Sequence, residues 1–218
     1  MEHRIVGEFA QYLKVTLARG EACWAGRGSI MSHDAGITWS LRAPGGVADA
    51  ARRLLSGEGI ALARLESSRD GRSASLASSQ PGTVSIWPLA EGSMLTTRGA
   101  FLAAWGDIDI DVSIARRAGA ALFGGAGLFL QRLSGQGTVA IHAAGDLDQR
   151  TLAPGESISV STGHLAAFSD GVDYDIEYVG GLRKALFSGE GVFMTTLTGP
   201  GTVLLQTIKR GSPGPARR

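Results

Sequence analysis

Four histidines, one cysteine and a row of three aspartates are the residues with which this chain could do chemistry. His3, His33, His142 and His164 form no His-x-His or His-x-x-x-His pair, the spacings that set two rings on one face and begin a zinc site. His142 and His164 fall in different halves of one repeat and could approach each other with a carboxylate. A metal needs three or four convergent ligands, so structural histidines are the expectation. Asp107, Asp109 and Asp111 resemble the opening of a calcium loop, but Val112 stands where that loop needs glycine and Ala118 where it ends in glutamate. On a strand these carboxylates line up roughly 7 Å apart, too spread to enclose one ion. They are expected on a solvated strand face. Cys23 is alone, so it makes no internal disulfide, fits a reducing compartment, and reads as a buried inert thiol.

Phosphate and acyl chemistry are not encoded either. Each Gly-x-Gly (Gly57/Gly59, Gly125/Gly127, Gly189/Gly191) meets Leu62, Leu130 or Met194 where a third glycine would stand. These glycines read as turns needing positive φ. None of Lys14, Lys184 and Lys209 follows a glycine, which excludes a P-loop, and no serine sits in a nucleophile elbow. Basic pairs recur at Arg52-Arg53, Arg116-Arg117 and Arg183-Lys184. In a closed ring of three repeats they would form a basic collar for an anion or an acidic partner. Alternatively they pair with nearby acids or keep turns soluble.

The elements that must carry these residues are short strands. Glycine accounts for 32 of 218 residues, about twice its usual share of roughly 7%, and punctuates apolar runs with tight turns. Ile108, Ile110, Val112 and Ile114 alternate with Asp107, Asp109, Asp111 and Ser113. Ile37, Trp39 and Leu41 alternate with Thr38, Ser40 and Arg42, and the run 172–178 does likewise. Alternation with period two predicts strands with one buried and one wet face. Only Val47–Leu55 reads as helical. A net charge of +1 makes nucleic acid an unexpected partner. No run approaches the roughly 18 apolar residues of a membrane span, and no signal or transit segment is recognised. A cytoplasmic bacterial protein is expected, with 211–218 as a flexible tail.

Two sequence elements each occur three times. Leu54–Ile60, Leu122–Leu128 and Leu186–Val192 share a Leu-x-x-Gly-x-Gly pattern, and each precedes a Gly-Thr-Val at 82–84, 137–139 or 201–203. The longer spacing in the first copy is assigned to a polar hairpin-tip loop over Ser67–Ser79. Leu-Ala-x-Gly recurs at Leu17–Gly20, Leu89–Gly92 and Leu152–Gly155, and Phe101–Trp105 matches His164–Phe168. The halves alternate along the chain. The predicted architecture is an all-β double-stranded β-helix or stacked β-sandwich, a single domain over 1–210. Its three units are 5–53 plus 186–210, 54–121 and 122–185, the first completed by both termini.

The run Leu122–Val139 resembles a signature block of the altered inheritance of mitochondria 24 family, as do Leu152–Phe168 and Leu186–Val203. The resemblance covers most of the chain, with Ala126 where the usual Gly-Glu-Gly has Glu. It implies a double-stranded β-helix grouped with the tryptophan attenuator-like fold and built from three similar units. It carries over no catalytic residue set. The functional expectation is a non-enzymatic scaffold or protein-interaction module without cofactor or bound metal, its partner another protein or a second copy. The alternatives are a binder of an anionic ligand or nucleic acid through the basic collar, and a metal-dependent cupin-like enzyme.

Overall fold

Leu-Ala-x-Gly is a turn, and its residues explain why it recurs. Gly20, Gly92 and Gly155 all have positive φ (81°, 124° and 78°), which side chains with a Cβ rarely adopt. In the first and third copies the Glu21 and Glu156 carboxylates accept from the amides of Ala18 and Ala153, three residues back, at 2.7 and 2.8 Å. The Ala18 amide, foremost, holds the Glu21 carboxyl below its ordinary value. Ser93 replaces that glutamate in the middle copy, where a short 3-10 turn over Leu89–Glu91 makes the bend. Leu17, Leu89 and Leu152 anchor the three turns in the core.

The computed structural model describes residues 1–42, 62–97, 99–114, 129–178 and 193–210. Arg52, Arg53, Arg116, Arg117, Arg183 and Lys184 lie outside the described residues. So do the three Gly-x-Gly turns, the stretch expected to be helical, and 211–218.

The protein is all-β, as expected, and its antiparallel strands fall into three consecutive units. A first strand, β1 (Glu2–Val6), precedes them. Unit one holds β2 (Tyr12–Leu17), β3 (Ala22–Ala25), β4 (Ile30–His33), β5 (Ile37–Arg42), β6 (Leu62–Ser67) and β7 (Arg72–Ala77). Unit two holds β8 (Gly82–Pro88), β9 (Met94–Thr97), and two long strands, β10 (Phe101–Ile114) and β11 (Phe129–Ala144). Unit three holds β12 (Leu147–Leu152), β13 (Ser157–Ser161), β14 (Leu165–Ser169), β15 (Asp173–Tyr178), β16 (Phe193–Thr198) and β17 (Gly201–Gln206). Within unit one the half-sheets are β2-β7-β4 and β3-β6-β5; unit three repeats them as β12-β17-β14 and β13-β16-β15. In unit two, β10 and β11 each run through both half-sheets, with β8 against the end of β11 and β9 against its start.

This pairing corrects the expected unit boundaries. The N-terminal strands pair with the sequence that follows them, β2 and β4 with β7 and β3 and β5 with β6. The C-terminal β16 and β17 pair with β12 to β15. No pairing among the described residues joins the two chain ends into one unit. Each half therefore finds its neighbour in sequence, the arrangement with the shorter closing loop. The expected loop over Ser67–Ser79 is corrected too: it holds strand β7, whose Ala74 and Leu76 are buried.

A β-bulge recurs at one place in each unit. Met31, Leu102 and Ala166 are the extra residues, between Ile30 and Ser32, Phe101 and Ala103, and Leu165 and Ala167. The partners across the bulge are Leu76–Ser75, Ile141–Ala140 and Leu205–Leu204, so the three sites are equivalent. Leu102 thus corresponds to Ala166, one residue from the sequence match. Among the described residues the core comprises three apolar clusters. The first centres on unit one and includes Ala103 and Ala140 of unit two; the second includes Leu62 with Ile110 and Leu133; the third includes Leu130 with Ile176 and Leu197. Each cluster thus draws on two adjacent units or more.

Equivalent bulge residues differ in environment: Leu102 is 1% exposed and Met31 55%. Leu102→Ala is expected to lower the unfolding free energy by about 2–5 kcal/mol, whereas Met31→Ala should change it by no more than about 0.5 kcal/mol. Urea titrations of dilute protein measure both, and equal losses would mean that β4 is covered as β10 is.

Candidate functional site

The difference at Met31 comes from how the units join. Unit one meets unit two through β3 and β10, with Ala25 opposite Ala103 and Trp24 opposite Ala104. The Gly26 amide adds a bond to the Leu102 carbonyl at 2.8 Å. Unit two meets unit three through β9 and β14, with Thr96 opposite Ala167, Leu95 opposite Phe168 and Met94 opposite Ser169. There the Thr97 hydroxyl reaches the Leu165 and Ala166 carbonyls at 2.8 and 3.1 Å. In both joins the strand after the first turn of one unit takes the bulged strand of the next, whose residues beside the bulge (Ala103 and Ala104, Ala167 and Phe168) are buried.

The same two strands are left over at the ends. Strand β4 is the edge of the four-stranded sheet β1-β2-β7-β4, and β13 is the edge of the three-stranded sheet β13-β16-β15. Met31, Ser32 and His33 are exposed, whereas Ala103, Ala104, Ala167 and Phe168 are buried. The exposure continues onto β5. Trp39 lies opposite Leu65 as Ile110 lies opposite Leu133, and Leu41 opposite Ala63 as Ile176 lies opposite Thr195. Ile110 and Ile176 are buried; Trp39 and Leu41 are 51% and 62% exposed. The expected alternation of β5 is therefore only half realised, with Ile37 alone turned into the core.

Open edges in proteins are usually protected by charge, proline or a covering segment. Strand β1 carries Glu2 and Arg4, β12 carries Asp148 and Arg150, and β15 carries Asp173, Asp175 and Glu177. Gln11 covers the free edge of β8, its amide donating to the Gly82 carbonyl and its side-chain oxygen accepting from Val84 N. Strands β4 (Ile-Met-Ser-His) and β13 (Ser-Ile-Ser-Val-Ser) contain no Asp, Glu, Lys or Arg and no proline. The bulge in β4 is no obstacle, because β10 and β14 have it and are joined.

A buried polar group lies elsewhere, beside β8 and β11. The Arg210 guanidinium donates to the His142 carbonyl at 2.6 Å and to its ring Nδ1 at 3.0 Å, and the Arg210 amide donates to the Gly163 carbonyl. Burial, then the adjacent guanidinium, push the His142 imidazole down to about 4, against a weaker effect of the Gln80 backbone. Burial likewise lowers Arg210 to about 10. With Nδ1 accepting from arginine, the neutral ring carries its proton on Nε2, which faces Gly82. A Cβ at Gly82 would stand 2.8 Å from that nitrogen and 2.0 Å from the Ala143 carbonyl, so only glycine fits. His164 binds the Gln206 carbonyl through Nδ1 at 2.8 Å. The two histidines considered as a pair are thus tied to separate partners.

Other candidates resolve simply. Asp107, Asp109 and Asp111 lie on the solvated face of β10, and no group of three or more His, Cys, Asp or Glu converges among the described residues. Burial pushes the Cys23 thiol up to about 12, leaving almost no thiolate at neutral pH. A surface cavity of about 250 Å³, lined by Glu2, His3, Arg4, Lys14, Thr16 and Ser73, mixes both charges on open strands. No helix among the described residues is long and apolar enough to cross a membrane.

Three sequential antiparallel units with shared sheets define the class of protein. The family described as mitochondrial biogenesis AIM24 matches residues 3–208, and the chain belongs to it. An uncharacterized protein of Streptococcus pyogenes serotype M6 is 29% identical over 204 residues, covering 90% of this chain and 81% of the relative. A Streptococcus pyogenes protein of known crystal structure superposes with a TM-score of 0.80 at 24% identity, covering 95% of this chain and 94% of that one. It shares the fold.

His142 gives a pH test. The unfolded imidazole titrates near 6.5 and the folded one near 4, so the unfolded state binds the extra proton between these values. The neutral ring's contribution is complete above about pH 6.5 and is lost as pH falls towards 4, by up to about 1.4 kcal/mol per pH unit. Urea unfolding from pH 7.5 to 5 should show this loss in the wild type, and a shallower slope in His142→Gln. Parallel slopes would remove the assignment.

Proposed function

We propose that the protein is a non-enzymatic scaffold that engages other protein chains through the unjoined edges β4 and β13. The observation that carries this reading is the pair of edges free of Asp, Glu, Lys and Arg whose internal counterparts are sealed by neighbouring units, with Met31, Trp39 and Leu41 exposed beside one of them. Open strands recruit partners by adding a strand, backbone hydrogen bonds supplying affinity and alternate side chains specificity. Work in a bacterial cytoplasm, without cofactor, is part of the proposal.

A second reading, anion binding by the basic pairs, draws support from the repeat. The hairpin pairs β5–β6, β10–β11 and β15–β16 are equivalent, and each leads into a segment bearing one basic pair.

One capture experiment separates the two readings. Tagged wild type, Met31→Glu/Leu41→Glu and Arg183→Glu/Lys184→Glu proteins are incubated with extract of the native host. The edge reading predicts that stoichiometric partners are lost from the Met31/Leu41 variant alone. Loss confined to the Arg183/Lys184 variant, with salt-sensitive retention, would favour the collar, and identical profiles would contradict both.

A further inference from the structure

We propose that the cleft at the β1 end of the sheet β1-β2-β7-β4 binds a small zwitterion, a phosphate with an ammonium a short chain away. The outer edges of β4 and β13 play no part in it. On β2, Lys14 and Thr16 alternate with the buried Leu13, Val15 and Leu17. Cross-strand pairing extends their outer face in two rows: Glu2, Thr16 and Ser73, then Arg4, Lys14 and Ser75. Arg4 thus stands directly opposite Lys14, where like charges repel. Among the described residues neither cation makes an ion pair, and Glu2 makes none either. Two other strands show the alternative. Arg64–Glu66 and Asp148–Arg150 are likewise an acid and a base two residues apart on one strand, and each pair closes at 2.9 Å. Glu2 and Arg4 have the same spacing and stay open, beside a cavity of about 250 Å³ that both line with Lys14.

The charges match a ligand with two poles. Arg4 and Lys14 supply two positive charges, which a phosphate monoester balances with about 1.5 to 2 negative ones at neutral pH. A guanidinium presents paired N–H donors to phosphate oxygens, and an ammonium adds a point charge. The Thr16 and Ser73 hydroxyls lie 3.3 Å apart. One of their protons serves the bond between them, and the other is free to donate to the ligand. Glu2, opposite Thr16 in the first row, takes the ammonium. The size is suitable: at roughly 30 Å³ for each water's share of liquid, the cavity holds about eight heavy atoms, the number in phosphoethanolamine. His3, between Glu2 and Arg4 and opposite the buried Val15, packs on Trp105 at a ring separation of 5.0 Å and holds β1 in place.

Isothermal titration calorimetry of the full chain at low salt, where screening is weakest, tests the site with phosphoethanolamine, inorganic phosphate and β-alanine. Saturable one-to-one binding of phosphoethanolamine is expected, tighter than that of inorganic phosphate. β-Alanine, with a single negative charge, should bind least. Arg4→Gln and Lys14→Gln should each weaken phosphoethanolamine binding about tenfold or more, the loss of a charge-assisted hydrogen bond. Glu2→Gln should weaken phosphoethanolamine while leaving inorganic phosphate unchanged or tighter. Arg150→Gln, at a pair already closed on Asp148, should change neither. All four side chains are at least partly exposed, and an unchanged urea midpoint confirms that each variant folds. Because the same group occurs on lipids, the protein is also sedimented with phosphatidylcholine vesicles, with and without phosphatidylethanolamine. Retention that needs phosphatidylethanolamine and is competed by phosphoethanolamine would name a lipid as the source of this ligand; binding of the soluble compound alone would name a free small molecule. No saturable heat with phosphoethanolamine, equal affinity for inorganic phosphate, or indifference to Glu2→Gln would overturn the proposal.

Discussion

A strand has two hydrogen-bonding edges, and the whole arrangement depends on where each is satisfied. Inside a unit, β6 or β7 takes a neighbour on both sides. Between units the satisfaction passes forward, the strand after each Leu-Ala-x-Gly turn reaching the bulged strand that follows. Burying backbone amides and carbonyls without partners is costly. The alanine-rich strands Ala103–Ala104 and Ala166–Ala167 can be buried because the preceding unit's strand supplies the missing partners. Among the described residues, no strand pairs with the outer edge of β4 or of β13. The exposure of β4 and the short sheet ending in β13 both follow.

Much of this was legible in the residues. Leu-Ala-x-Gly-Glu signals its turn because its positions supply what the bend requires, namely a buried anchor, a positive φ and a carboxylate on a backbone amide. The acidic alternations over 107–111 and 173–177 mark solvated strand faces, and the family resemblance led to the right fold. The division into units was misread at Gly-Thr-Val. Residues 137–139 and 201–203 open equivalent strand segments, but 82–84 lie in β8, which precedes its turn. The counterpart in unit one is Arg72-Ser73-Ala74: Ala74 pairs with His33 as Val139 pairs with Ala104 and Val203 with Phe168. Serines and alanines carry the alternation there, and their low hydropathy hides a buried strand.

The functional features were less legible because they are relations between units. Trp39 and Leu41 have the pattern of inward residues, and nothing local tells them from Ile110 or Ile176, yet they are exposed where those two are buried. The His142–Arg210 contact spans 68 residues and has no local sequence signature. The plain composition of β4 was visible, yet it gains meaning only beside the charged edges of β1, β12 and β15.

Hydrogen exchange on dilute protein tests the sequential arrangement most directly, by comparing the backbone amides of Ile30–His33 with those of Phe101–Ala104 and Leu165–Phe168. Strands sealed by a preceding unit should exchange slowly, and the open edge of β4 should exchange much faster. Equal protection of all three segments in the monomer would mean that a third join closes within one chain, contradicting the account.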